Sequence, residues 1–469
     1  MNYESLALLI EKNATVSSEL TVAEKIFSKV MEFFDRDKEI TFLRRVRDLS
    51  THSAQFTVIT GRRRIGKTSL VLKAYGEPSV IYFFVARKTE VELCQDFAQE
   101  LESKLGIPMM GTPDKFAMIF EYLMKLSHSR PLTLFIDEFQ EFLRVNNSIY
   151  WDLQRIWDLQ KDGAQMNLVV CGSVNTLMNR IFRDNKQPLF GRQTQFMKLG
   201  PFAPSVLKDI LQAYRKGFTP DDLLALYTFT GGVAKYVQQL MDNDITTKDA
   251  MCHYMVEPGS YFLPEGKAML IEEFGKDYST YFSILSLIAR GHNMRADIEN
   301  MLKMEVGGYL TRLETDYELI VKVRPLLEKT TTKSVRYHLN DNFLIFWFRF
   351  IYKYGYMLEV GANKKLLDII MRDYDTFSGL ILERFFRDEM IERGTYTRIG
   401  GWWDRKGENE IELIGIDELA HTSDFYEVKR QRKEYDEQRL QAKAHTFLSL
   451  HPELGTYKST VCGLTLEEM

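Results

Sequence analysis

Apolar runs of strand length recur along the first part of the chain, at Phe56–Ile59, Val80–Ala86, Leu132–Ile136 and Leu168–Cys171. Helical patterns stand between them, at Ser69–Ala74 and over residues 90–105 and 114–128. A short continuous apolar run bounded by turn residues reads as a strand buried on both faces. Strands alternating with helices predict a parallel α/β sheet that binds its ligand at the carboxyl edge. The pattern then changes. Tyr281–Arg290, Arg295–Met304 and Gly308–Glu318 read as three helices, and Ile320–Pro325 and Ser334–Leu339 as two strands joined by the polar turn Glu328–Lys333. Asn340–Tyr356 carries Phe343, Phe346, Trp347 and Phe350 at helical spacing, which predicts a buried helix. Toward the C-terminus Gly379–Phe386 reads as a helix, and Arg398–Trp403, Asn409–Ile416 and Asp424–Arg430 as strands. Residues 1–33 read as helical and peripheral.

Composition narrows the class. A chain of 469 residues predicts about three domains. A hydrophobic fraction of 45% and a charged fraction of 27% are those of a soluble globular protein. The net charge of −4 provides no global field for nucleic acid, so such binding requires local patches. Cys94, Cys171, Cys252 and Cys462 are scattered, which argues against a zinc site or a disulfide framework. No signal peptide and no uncharged run near the ~18 residues of a membrane span are visible. A cytoplasmic protein with no membrane partner is the expectation.

The chemistry concentrates in Gln55–Tyr75. Gly61-Arg62-Arg63-Arg64-Ile65-Gly66-Lys67-Thr68 is a complete G-x-x-x-x-G-K-T between a strand and a helix. In that context Gly61 and Gly66 let backbone N–H groups, Arg62 to Ser69 included, curl around phosphate oxygens, and the following helix adds its positive end. Lys67 is predicted on the β- and γ-phosphates of ATP and Thr68 on Mg²⁺. The strand Leu132–Ile136 ends in Asp137-Glu138. Asp137 is the expected Mg²⁺ ligand and Glu138 the general base, although an Asp at a strand end also serves as a helix cap. Ser173 is the candidate polar side chain beside the γ-phosphate, with Asn175 second. Arg192, in Pro188–Arg192, is a candidate for neutralising transition-state charge in cis or from a neighbouring subunit, or else a solvated loop arginine.

These landmarks together resemble a known family. Phe34, Arg36, Glu39 and Leu43 form an F-x-R-x-x-E-x-x-x-L box similar to one that opens ATPases of the AAA+ and STAND groups. With GRRRIGKT, LFIDEFQEF, CGS, PLFGR and the TGG of Thr230–Gly232, they resemble the prokaryotic, archaeal-type AAA+/STAND-like P-loop ATPases. Ala234 departs from the proline usual in the TGG element, and Lys235 stands where a phosphate-sensing cation could lie. The resemblance implies a P-loop ATPase core at 34–200, a helical lid at 201–270, a winged helix at 271–345, and a helical linker with a restriction-endonuclease-like α/β domain at 346–469. Arg312, Lys322, Arg324, Lys329, Lys333 and Arg336 cluster about the winged helix, either to hold DNA phosphates or merely within a domain joint.

In the last domain, a strand carrying Glu412 and another carrying Glu427-Val428-Lys429 resemble a nuclease fold. Glu412 and Glu427, with Glu383 nearby, are candidate metal ligands, and Lys429 a candidate to orient or activate water. Alternation places Ile411 and Leu413 on one face and Glu410, Glu412 and Ile414 on the other. The family's first acid is normally Asp, so Glu412 weakens the expectation of cleavage. Two functions follow: an ATPase whose nucleotide cycle controls a DNA-directed C-terminal domain, or a nucleotide-dependent switch or scaffold with an inactive nuclease-like domain. A homo-oligomer is compatible with both.

Overall fold

Five parallel strands organise the N-terminal half of the structure, a computed structural model that describes residues 31, 33–106, 111, 113–274, 278–329, 331–332, 334–404 and 409–469. The strands β1 (Gln55–Thr60), β2 (Ile81–Phe84), β3 (Leu132–Asp137), β4 (Met166–Gly172) and β5 (Gln195–Lys198) lie in the order β2-β3-β4-β1-β5. The strand before Ser173 therefore stands between the two that carry the phosphate loop and Asp137. β1, β3 and β4 are buried throughout, because helices cover both sheet faces. Ile59 and Val169 join Leu43 and Leu70 on one face, while Val58 and Val170 join Phe97, Ile119 and Leu153 on the other. The half-exposed edge strand β5, QFMK, carries too little apolar signal to be read from sequence. The expected N-terminal helices lie almost wholly outside the described residues, as does Lys333.

A helical layer follows. Its centre is Pro220–Thr230, buried at every position from Asp222 onward. A helix with no polar face must be surrounded, and this one packs on Asn342–Phe346 and on the long helix Asn363–Arg393. Phe343, Phe346, Trp347 and Phe350 are all buried, as their spacing predicts. Gly266 is required here, since a Cβ would lie 2.3 Å from the Trp347 ring. The helices Tyr278–Ala289, Arg295–Leu302 and Gly307–Thr315 precede an antiparallel ribbon, β6 (Ile320–Val323) and β7 (Arg336–Leu339).

The C-terminal sheet runs β11-β10-β9-β8, from β8 (Arg398–Trp403), β9 (Glu410–Asp417), β10 (Thr422–Val428) and β11 (Lys458–Leu464). The β10–β11 pair is parallel, and helix Glu437–Leu450 makes the crossover. The register in β9 corrects the expected alternation. Gly400 pairs with Ile414 but Trp402 pairs with Ile411, so Glu412 and Leu413 together stand opposite Gly401. This bulge reverses the phase of the strand. Ile411, Ile414 and Ile416 consequently share one core with Phe425 and Phe447, while Leu413 joins the other core with Phe385. A Cβ at Gly401 would approach the Glu412 carbonyl oxygen to 3.0 Å, so the partner of the bulge is a glycine.

Candidate functional site

The loop between β1 and helix Lys67–Tyr75 has the backbone its glycines permit. Gly61 has φ +151°, and a Cβ there would meet the Leu199 carbonyl oxygen at 2.5 Å. Gly66, at φ +92°, precedes the helix in left-handed geometry. Lys67 is buried, and its ammonium donates to the carbonyls of Gly61 at 2.8 Å and Arg62 at 3.1 Å. Burial lowers its pKa. Thr68 Oγ1 donates to Asp137 Oδ2 at 2.5 Å, so both predicted cation ligands face one point. Burial raises the pKa of Asp137. Glu138 has φ +52°, a strained conformation for a non-glycine residue. Its Oε2 accepts from Gln140 Nε2 at 2.5 Å and from Ser173 Oγ at 2.8 Å, which fixes the carboxylate.

Gly66, Lys67, Thr68, Asp137, Glu138 and Ser173 line a cavity of about 480 Å³ together with Phe34, Arg63, Arg64, Ile65, Ser69 and Lys235. Its size and convergent polar groups suit a small anionic ligand. The first box residues close one wall. Arg36 sits over the Phe202 ring at 4.9 Å and donates to the Gly200 carbonyl at 2.7 Å. The helical layer closes another, where Lys235 N donates to the Arg64 carbonyl at 3.1 Å. Ala234, in place of the usual proline, rests 3.7 Å from where a Gly66 Cβ would be.

A second constellation lies in the C-terminal sheet. Glu412 Oε2 accepts from Val428 N at 2.5 Å, and Glu412 Oε1 accepts from Lys429 Nζ at 2.9 Å. The same ammonium lies 3.5 Å from Glu427 Oε1, which also pairs with Lys443 at 3.7 Å. The other oxygen, Glu427 Oε2, is buried without a hydrogen-bond partner among the described residues. Burial and the Glu412 charge push the Glu383 carboxyl up to about 8. Burial opposes the Lys429 charge, but Glu412 and Glu427 outweigh it and raise its pKa. Among the described residues, no group of three or more His, Cys, Asp or Glu side chains is arranged to hold a metal ion. Lys429 stands between the two strand carboxylates.

Residues 33–240 match the ATPase domain found predominantly in Archaea. The chain carries an archaeal-type ATPase domain. Residues 347–440 match a family of archaeal and bacterial proteins of unknown function. Uncharacterized protein MJECL04 of Methanocaldococcus jannaschii is 27% identical over 414 residues, covering 85% of this chain and 87% of the relative. The fold resembles the Walker-type ATPase PABY2304 of Pyrococcus abyssi, with TM-score 0.52 and 18% identity over 68% of this chain and 96% of that one. A fainter likeness, TM-score 0.44 at 17% identity, is to Aeropyrum pernix ORC2 in ADPNP–ADP complexes, over 73% of this chain and 96% of that one.

Not every expected residue reaches the ATPase cavity. Gly61 contributes its carbonyl rather than a lining surface, and the Arg62 side chain turns away to an ion pair with Asp341. Arg64 pairs with Glu265, which also accepts from Tyr236 OH at 2.5 Å. Asn175 donates to Glu318 at 3.2 Å, so Ser173 is the residue beside Glu138. Arg192 pairs with Asp158 at 3.1 Å and is absent from the cavity lining of its own chain. Gln140 and Lys443 were not foreseen. Gln140 lies within LFIDEFQEF without having been given a role, whereas Lys443 had no local signal at all.

Proposed function

We propose that the chain is an ATPase whose nucleotide cycle acts on a nuclease-like C-terminal domain directed at nucleic acid. Lys67 binds the β- and γ-phosphates, exchanging its two loop carbonyls for phosphate oxygens. Thr68 and Asp137 would hold Mg²⁺, which supplies charge neutralisation on the nucleotide. Glu138, fixed by Ser173 and Gln140, takes a proton from water. The Thr68–Asp137 hydrogen bond and the two contacts on Glu138 fit these roles without rearrangement.

One helix carries the proposal of control. Pro220–Thr230 leads through Gly231 and Gly232 into Lys235, whose N–H meets the phosphate loop. Near its other end Asp221 accepts from Arg430 at 2.8 Å, and Arg430 follows Lys429 directly in sequence. Tyr227 OH, on the same helix, donates to Asp388 of the long helix at 2.5 Å. A helix joined to one site through the Gly231-Gly232 turn and held beside Lys429 at the other end is a physical route for coupling. The three helices and ribbon after residue 278 support the winged-helix reading. Lys429 lying between Glu412 and Glu427 favours a second reading, in which the C-terminal domain holds nucleic acid without cutting it.

Phosphate release from ATP, measured with and without single- and double-stranded DNA at low salt, tests the assignment. DNA stimulation is expected in wild type, with basal turnover kept but stimulation lost in Asp221→Asn. Indifference to DNA in both chains would favour a switch working through protein partners.

A further inference from the structure

The ribbon β6–β7 does not stand free. Leu326, just beyond β6, donates its N–H to the Gly401 carbonyl at 2.8 Å, and Trp403 Nε1 donates to Ser334 Oγ at 2.8 Å. Arg336 pairs with Glu410 at 2.5 Å and lies 4.2 Å over the Trp403 ring. Docked in this way, the ribbon roofs a recess of about 580 Å³ above Glu383 and Glu412. Five cations line it: Lys322, Arg324 and Arg336 from the ribbon and its exit, and Arg384 and Arg387 from the long helix. Two of the opposing carboxylates are already committed, Glu410 to Arg336 and Glu412 to Lys429. Among the described residues Arg387 has only a 3.6 Å ion pair, with its neighbour Asp388. Arg324 Nε and Arg384 Nη1 are buried with no hydrogen-bond partner among the described residues.

A buried guanidinium N–H without an acceptor is destabilising, and guanidinium geometry matches phosphate oxygens. Burial and the charges of Arg384, Arg336 and Arg387 push the His338 imidazole down to about 4. We propose that this recess receives one single strand of nucleic acid, its phosphodiester oxygens taken by Arg324 from the ribbon side and by Arg384 and Arg387 from the long helix. Cations on two facing elements suit a backbone with repeated phosphates better than one isolated anion. The recess falls in the range of small-ligand pockets, about 300–1,000 Å³. It therefore admits a nucleotide or two of a strand but not a duplex while the ribbon is docked. This deepens the C-terminal reading above by naming the substrate class, and it relocates the basic face from an open wing to an interior.

Anisotropy of a labelled oligothymidylate, titrated with the full chain in EDTA, measures binding without cleavage or ATP turnover. The strand is expected to bind about tenfold or more tighter than a blunt duplex. The Arg324→Gln/Arg387→Gln double variant is expected to lose about tenfold in strand affinity. Its salt slope should be shallower by about 0.7 for each phosphate that is no longer neutralised. Lys433→Gln, at an exposed site outside the recess, should bind as wild type does. A double variant that melts like wild type and binds the strand equally well would overturn the proposal. Equal affinity for duplex, or displacement of the strand by inorganic phosphate at matching concentration, would do the same. Hydrogen exchange needs no variant: absence of strand-induced protection at Lys322–Arg324 and at Arg384–Arg387 also overturns it. The two readings separate cleanly. Arginine-dependent strand binding without Mg²⁺- or Mn²⁺-dependent cutting keeps this proposal and removes the nuclease. Cutting that needs Lys429, with binding indifferent to these arginines, does the reverse.

Discussion

Lys67 and Glu138 line one cavity, and the proposed mechanism gives them separable tasks. Lys67 is the buried cation of the phosphate loop, so Lys67→Ala is expected to abolish ATP binding, read by a fluorescent nucleotide analogue. Glu138→Gln keeps the shape and can still accept from Ser173, yet loses the proton acceptor. It should bind nucleotide normally and lose about a hundredfold or more in turnover. Equal turnover in wild type and Glu138→Gln would remove the base from this position. Glu383 gives a prediction in pH. Its folded-state carboxyl titrates at about 8, well above an exposed glutamate. Between the ordinary carboxylate range and about 8, the folded chain keeps a proton that the unfolded chain has released. The contribution to stability is complete below that window and is lost as pH rises through it. Thermal melts at a series of pH values should show this decline in wild type and a flatter profile in Glu383→Gln.

Among the elements, helix Pro220–Thr230 and the turn after it bear most on function. Gly232 has φ +75°, and a Cβ there would lie 2.3 Å from the Phe202 carbonyl oxygen. Gly394, which ends the long helix at φ +64°, has open space around it. Gly394→Ala is therefore expected to cost about 1 kcal/mol from left-handed strain alone. Gly232→Ala adds a backbone clash and should cost about 2–4 kcal/mol, with weaker nucleotide binding as Lys235 is displaced. Denaturant melts of the two variants, compared side by side, check the difference. The strands at this scale were largely legible. β1, β3 and β4 are continuous apolar runs because both their faces are covered, and that signal is local. β5 and β11 were not, since edge strands with half-exposed side chains carry no comparable run. The bulge in β9 was equally hidden, because alternation in sequence says nothing of an extra residue opposite Gly401.

For the whole molecule, the question is what completes the ATPase site. Arg192 lies at the surface, paired with Asp158 and outside the lining of its own cavity, a position that suits a role in a second chain's site. Mixing Arg192→Ala with Lys67→Ala chains is then expected to restore turnover, because each supplies at a shared interface what the other lacks. Activity per wild-type chain should also rise with protein concentration. No recovery in mixtures that assemble normally would reduce Arg192 to a loop residue or a cis-acting one. Within one chain, ion pairs from the phosphate loop reach outward, Arg62 to Asp341 and Arg64 to Glu265.

The sequence alone determined the strand, glycine loop and helix around Lys67 and the strand that ends at Asp137. Those groups are contiguous, and the glycine spacing, the strand before and the helix after constrain one another within a few residues. It also determined where the buried strands lie along the chain, since a strand covered on both faces writes its burial into adjacent positions. Only the tertiary structure decided which side chains meet across distance: Ser173 and Gln140 on Glu138, Lys443 on Glu427, Asp221 on Arg430. It alone turned Arg62 away from the nucleotide cavity and folded the basic ribbon inward over Glu412. Such pairings join residues far apart in the chain, and no local pattern of hydrophobic and polar positions encodes which charge finds which partner.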